Sequence, residues 1–103
     1  MQDYISRQLA EAQSIVSAMQ ADTALQANLA RTAEACIACL RAGGKLLFAG
    51  NGGSAADAQH MAGEFVSRFA FDRPGLAAVA LTVDTSILTA IGNDYGYEKL
   101  FSR

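Results

Sequence analysis

Two short apolar runs, each released into a helix through a turn rich in glycine or polar residues, set the narrowest limit on what this chain can fold into. The first, Lys45-Leu46-Leu47-Phe48-Ala49, follows the pair Gly43-Gly44 and ends at Gly50-Asn51-Gly52-Gly53. A run this continuous predicts a strand buried on both faces. Ser54 can cap the helix that follows, which the pattern carries to about Phe69. The second run, residues 76–81, comes after the turn Asp72-Arg73-Pro74-Gly75, which holds the only proline. Beyond it lie the polar positions 82–84, a short helix over 85–91, a break at Gly92-Asn93-Asp94 and a helical stretch over 97–103. Alternation of strand and helix predicts a parallel sheet of α/β type.

Ahead of the first run the period is helical. Ile5, Leu9, Ala12, Val16 and Met19 recur at spacings of four and three, which makes one apolar stripe, and Arg7, Glu11 and Gln13 fill the other side. A second stripe runs through Leu25, Leu29, Ala33, Cys36 or Ile37, and Leu40; Asp22 or Thr23 can cap its start and Gly43-Gly44 ends it. The first helix is long and heptad-like, suited to its own domain or to a partner subunit. Two parallel strands are too few for a sheet covered on both sides. Leu46, Phe48, Val79 and Leu81 suit a larger core. The expectation is a truncated unit: residues 1–103 as the N-terminal part of one domain, with helices over about 2–42 and strand–helix units over about 45–103.

Composition excludes several classes. Of 103 residues, 51% are hydrophobic and 17% charged, which fits a globular chain and neither a disordered nor a fibrous one. No apolar run approaches the ~20 residues a membrane helix needs, and the opening MQDYISRQ has no signal-peptide pattern. Eight basic residues against ten acidic ones leave no surplus for nucleic acid. Cys36 and Cys39 can form a redox pair or half a metal site, but their helical spacing also suits core packing. Reduced thiols in a cytoplasmic protein are the expectation.

The Gly50-Asn51-Gly52-Gly53-Ser54 turn joins a strand to a helix N-terminus. Glycines allow close backbone approach and first-turn N–H groups attract anions, so this is a phosphate or sugar-oxygen cradle or, equally, a tight connection without ligand. It is no P-loop, since no lysine follows. Gly50, Gly52 and Ala55 satisfy a loose GxGxxA pattern, but Asp72 precedes the second strand and Asp84 lies too far on for the dinucleotide fingerprint. On the next helix Asp57, His60 and Glu64 share one face. His60 and Glu64 can both ligate a divalent metal, or Glu64 can act as a free general base; a solvated polar face is the plain alternative. Arg68 extends that face toward a phosphate or a salt bridge with Glu64. Thr82, Asp84, Thr85 and Ser86 crowd the carboxyl end of the second strand, where such sheets place ligands, though capping explains most of them.

The run from Gly50 through Asp57-Ala58-Gln59-His60 to Glu64 resembles the sedoheptulose 7-phosphate isomerase (phosphoheptose isomerase) family of sugar-isomerase (SIS) domains. Arg73-Pro74-Gly75-Leu76, Ala80-Leu81-Thr82 and Leu88-Thr89-Ala90-Ile91-Gly92-Asn93-Asp94-Tyr95-Gly96 continue the match in order.

The resemblance implies a three-layer α/β/α sandwich, flavodoxin-like and doubly wound, behind two N-terminal helices. It implies an aldose–ketose isomerase interconverting sedoheptulose 7-phosphate and D-glycero-D-manno-heptose 7-phosphate, at the entry to bacterial lipopolysaccharide heptose. Homotetramers with sites at subunit interfaces are implied as well. Asn51, Gly52, Gly53 and Ser54 would bind or adjoin substrate, and Asn93 and Asp94 would contact the sugar. His60 and Glu64 would hold zinc, with Glu64 also touching substrate and taking the proton. The family's phosphate loop, a further zinc-ligand histidine and its neighbouring glutamine match no position here. Relatives that act as phosphosugar-binding proteins or adaptors, one of them tied to the bacterial replication initiator, supply the competing function class. They are depleted over the segment from His60 to Glu64, which is intact here. A remnant that assembles only with a partner chain is the third reading.

Overall fold

The computed structural model describes residues 1–103, which divide into two compact units, Met1–Ile37 and Ala38–Arg103.

In the first unit α1 (Gln2–Ala21) gives way at a single residue to α2 (Thr23–Arg41), which continues into the second unit. Asp22 serves both helices. Its N–H donates to Ala18 O at 3.0 Å and Met19 O at 3.3 Å, closing α1, while its Oδ1 accepts from the Leu25 N–H at 2.9 Å, opening α2. The carboxylate therefore caps, and Thr23 is the first helical residue. Ile5, Leu9, Val16 and Met19, the predicted stripe, are all exposed.

In the second unit α2 ends on the glycine pair. The Gly43 N–H reaches Leu40 O at 3.1 Å, the Gly44 N–H reaches Cys39 O at 2.9 Å, and Gly43 has φ 78°. This is a Schellman closure, which needs a residue tolerant of the left-handed region. A Cβ on Gly44 would stand 2.6 Å from Cys39 Sγ and 2.9 Å from Cys39 O. Cys39, free and half-buried like Cys36, thus packs under this turn, with its thiol 3.6 Å from Lys45 O. Packing accounts for its place in the sequence.

β1 (Leu46–Phe48), α3 (Gly53–Val66) and β2 (Ala78–Ala80) make one strand–helix–strand unit. The strands are parallel, pairing Leu46 with Ala78 and Phe48 with Ala80, and the Leu81 N–H extends the ladder to Phe48 O at 2.8 Å. α3 is the helix packed on this sheet. Its small face carries Ala58 and Ala62, 5% and 8% exposed, and the Phe48 and Phe65 rings meet at 5.8 Å. The α/β class with a parallel sheet, here of two strands, is therefore present. Burial on both faces is not: Leu47 and Val79 point away from α3 and are 58% and 45% exposed. A continuous apolar run shows that both faces of a strand are apolar; one helix covers one face.

Three predicted boundaries move. α3 stops at Val66, before Phe69, because Ser67 leaves the helical region with ψ -106°. The glycine in Gly92-Asn93-Asp94 makes no break: α4 (Thr85–Asp94) runs through it, and the chain turns instead at Gly96, with φ 95°. A mid-helix glycine costs only about 1 kcal/mol, which the surrounding turn can absorb. The helix expected over 97–103 shrinks to one 3₁₀ turn, Tyr97–Lys99. No helix of the chain is long and apolar enough to cross a membrane.

Asp84 caps α4, its Oδ1 accepting from the Ile87 N–H at 3.0 Å. Asp84→Ala is expected to lower the unfolding free energy by about 1 kcal/mol, read from the urea midpoint.

Candidate active site

The glycine turn is shaped by its own hydrogen bonds. Ser54 Oγ accepts from the Asn51 N–H at 2.8 Å and its hydroxyl donates to Asn51 O at the same distance; the Ser54 N–H also returns to Asn51 O at 3.1 Å. Ser54 therefore lies inside α3 and ties the loop shut, while Gly52 takes the N-cap position with φ 56° and ψ -122°. The Gly52 and Gly53 N–H groups find no partner in the fold. They are free donors at a helix N-terminus, the arrangement that receives an anion or a sugar oxygen.

A cleft of about 330 Å³ adjoins this loop, lined by Asn51, Gly52, Thr82, Thr89, Gly92 and Tyr97. Two of its contacts carried no sequence signal. The Tyr97 hydroxyl donates to Asn51 Oδ1 at 2.8 Å across 46 residues, and Gln59 Nε2 donates to Thr82 Oγ1 at 3.1 Å. Neither pair has a local spacing that could announce it. The first leaves the Asn51 amide nitrogen as the donor available to a ligand. Asn93 and Asp94, in the last turn of α4, bond to each other, Asn93 Nδ2 donating to Asp94 Oδ1 at 2.8 Å.

His60 and Glu64 lie further along α3, about 10 Å and 16 Å from Gly53 at the helical rise. They line a different hollow, of about 440 Å³, with Phe65, Phe69, Arg73 and Leu76. His60 Nε2 stands 3.2 Å from Glu64 Oε1; the His60 side chain is 75% exposed and that of Glu64 29%. Two ligand atoms each about 2.1 Å from a tetrahedral ion lie about 3.4 Å apart, so this pair can hold a zinc ion with little adjustment. Nitrogen and carboxylate oxygen are also the right donors. They are two ligands of four, and no group of three or more His, Cys, Asp or Glu assembles within the chain. Asp57, predicted on the same face, does not join them. Arg68 makes no ion pair with Glu64, since the helix ends at Val66 and the four-residue spacing no longer holds beyond it.

The end of α3 is closed by Arg73, which the sequence marked as part of a turn, and by Leu76, which it marked as the start of the second apolar run. Arg73 Nη2 donates to Glu64 O and Nη1 to Phe65 O, both at 2.8 Å, and the Leu76 N–H also reaches Phe65 O, at 3.0 Å.

A parallel strand–glycine turn–helix unit with open N–H donors, followed on one helix by a histidine–glutamate pair, agrees with what sequence comparison returns. The chain belongs to the SIS domain family, whose sequence model matches residues 8–103. Within that class its relatives are phosphoheptose isomerases. It is 73% identical over 100 residues to the Burkholderia pseudomallei (strain 1710b) protein of that name, covering 97% of this chain and 51% of that one. The structure of phosphoheptose isomerase from Neisseria gonorrhoeae superposes with a TM-score of 0.77 at 48% identity, over 98% of this chain and 50% of that one. One from Francisella tularensis gives 0.78 at 36% identity, over 99% and 53%. The chain spans about half the length of the curated relatives it matches.

Proposed function

We propose that this chain carries the sugar cradle and the base of an aldose–ketose isomerase acting on sedoheptulose 7-phosphate, a reading supported by relatives named phosphoheptose isomerases. The observation that carries the reading is the His60–Glu64 pair at 3.2 Å, at the middle of a helix that begins at the open glycine turn and one turn beyond that middle. In the forward reaction the Glu64 carboxylate takes a proton from C1 of the ketose. The C1 hydroxyl oxygen loses its proton as the C2 oxygen gains one, through an enediolate, and Glu64 returns its proton to C2. Oε1 of Glu64 faces His60, which leaves Oε2 for the carbon-bound proton. A zinc ion bound by His60 and Glu64, with further ligands from outside these residues, would supply Lewis-acid stabilisation of the charge that develops on the sugar oxygens.

The cradle and the pair open into separate hollows. That separation supports a composite site, in which the glycine turn and Asn51, with Asn93 and Asp94, meet the His60–Glu64 pair of another copy in a homotetramer. The free thiols of Cys36 and Cys39 suit a cytoplasmic enzyme, and its product would feed lipopolysaccharide heptose. An adaptor role is not favoured while the pair is intact.

The test is NMR-detected deuterium incorporation at C1 of sedoheptulose 7-phosphate in heavy water with zinc. It would be run on this chain and on a fusion that joins it to the C-terminal half of the Burkholderia relative. Exchange in the fusion supports the assignment; a folded fusion without exchange overturns it. His60→Ala is expected to weaken zinc binding more than about tenfold, since loss of a ligand exceeds the loss of an outer partner. Competition with a chromogenic chelator measures it.

A further inference from the structure

We infer that Arg73 is a positioning residue for Glu64, acting through the backbone of the helix that presents it. The inference rests on the reading of Glu64 as the base. The last carbonyls of a helix have no partners within it, and the last turn frays unless something outside takes them up. For α3 the helix's own continuation takes one of them, and the partners of Glu64 O and Phe65 O come from one short segment, Arg73-Pro74-Gly75-Leu76. The Ser67 N–H takes Gly63 O at 2.8 Å, Arg73 Nη2 takes Glu64 O, Arg73 Nη1 takes Phe65 O, and the Leu76 N–H shares Phe65 O. Nη1 also reaches Pro74 O at 3.1 Å, which steadies the guanidinium against its own turn. A Cβ on Gly75 would stand 2.7 Å from Val66 O, so the turn sits directly against the helix end.

The fork of the guanidinium matters here. Its two nitrogens bind successive carbonyls, at Glu64 and Phe65, which a single ammonium cannot do in the same geometry. The positive charge also lies at the negative end of the helix dipole. Glu64 is two residues from that end, in the turn most prone to open. Holding its carbonyl fixes its Cα–Cβ direction and so aims the carboxylate. The arginine is half-buried and lines the same hollow as His60 and Glu64.

The test uses the fusion described above, with Arg73→Ala, Arg73→Lys and Glu64→Gln compared. Arg73→Ala is expected to lower kcat about 10–100-fold, as outer-shell partners do, with KM changed less than about threefold and zinc affinity weakened in parallel. Arg73→Lys, which keeps the charge and loses the fork, is expected to fold normally and to recover only part of kcat. It carries the test should the alanine variant fail to fold. A purely structural cap predicts something else: a lower Tm with kcat per folded molecule and zinc affinity unchanged, and that outcome overturns the inference. Glu64→Gln separates the two levels. If it retains turnover, the base assignment fails; if it is inactive while both Arg73 variants keep full kcat, only the role of Arg73 fails.

Discussion

Glu64→Gln is expected to reduce deuterium exchange at C1 by about 10²–10⁴-fold in the fusion enzyme, the range a positioned general base contributes. Glutamine matches the size of glutamate, so the packing of α3 against the sheet, which rests on Ala58, Ala62 and Phe65, is left alone. Circular dichroism and Tm should therefore match the parent. The amide cannot accept the carbon-bound proton and ligates a cation poorly, so exchange and zinc affinity fall together. His60→Ala separates the two contributions: it removes a ligand and leaves the carboxylate. Near-normal exchange in a folded Glu64→Gln protein would sink the mechanism.

The second large effect is expected from Gly50→Ala. A Cβ there would stand 2.4 Å from Ser54 O and 2.5 Å from Ser54 C, backbone atoms in the first turn of α3 that cannot swing aside. Either the helix start or the loop must shift, at a cost of about 2–3 kcal/mol. The bonds from Ser54 to Asn51 are the first to go, and with them the presentation of Asn51 and of the Gly52 and Gly53 donors. Urea unfolding should show the loss in stability, and a raised KM in the fusion enzyme the loss in binding. Gly53→Ala is the control for stability: nothing lies within 4 Å of its Cβ, and alanine favours a helix over glycine by up to about 1 kcal/mol. A Gly50→Ala protein as stable as Gly53→Ala would show that the close approach to Ser54 is not a constraint.

Element type and order were legible in the chain because hydrophobic period and glycine placement are local signals. The stripe through Leu25 and Leu29, the stop at Gly43-Gly44 and the parallel strand pair all follow from spacing. Strand length was less legible. Leu76 looks like part of β2, yet its N–H is spent on the end of α3, a tertiary use that no alternation reveals. Gly92 looked like a break because its composition matches one; the conformation that needs glycine falls four residues later, at Gly96. At the site, helical periodicity was enough to bring His60 beside Glu64. It could not show that the glycine turn opens into another hollow, nor find Tyr97 on Asn51 or Arg73 on Glu64, since those contacts join distant segments.

The parallel pairing of β1 with β2 has a consequence in time. Residues 49–77 must be made between the end of one strand and the start of the other. At synthesis rates of roughly 5–20 residues per second, β1 waits seconds for its partner, whereas α3 can form within about a microsecond of leaving the ribosome. Throughout that interval Leu46, Leu47 and Phe48 form a bare apolar edge. The strand is only three residues long, preceded by Lys45 and followed within two residues by Gly50. Shortness, a flanking charge and a glycine give a stray strand little length to grip.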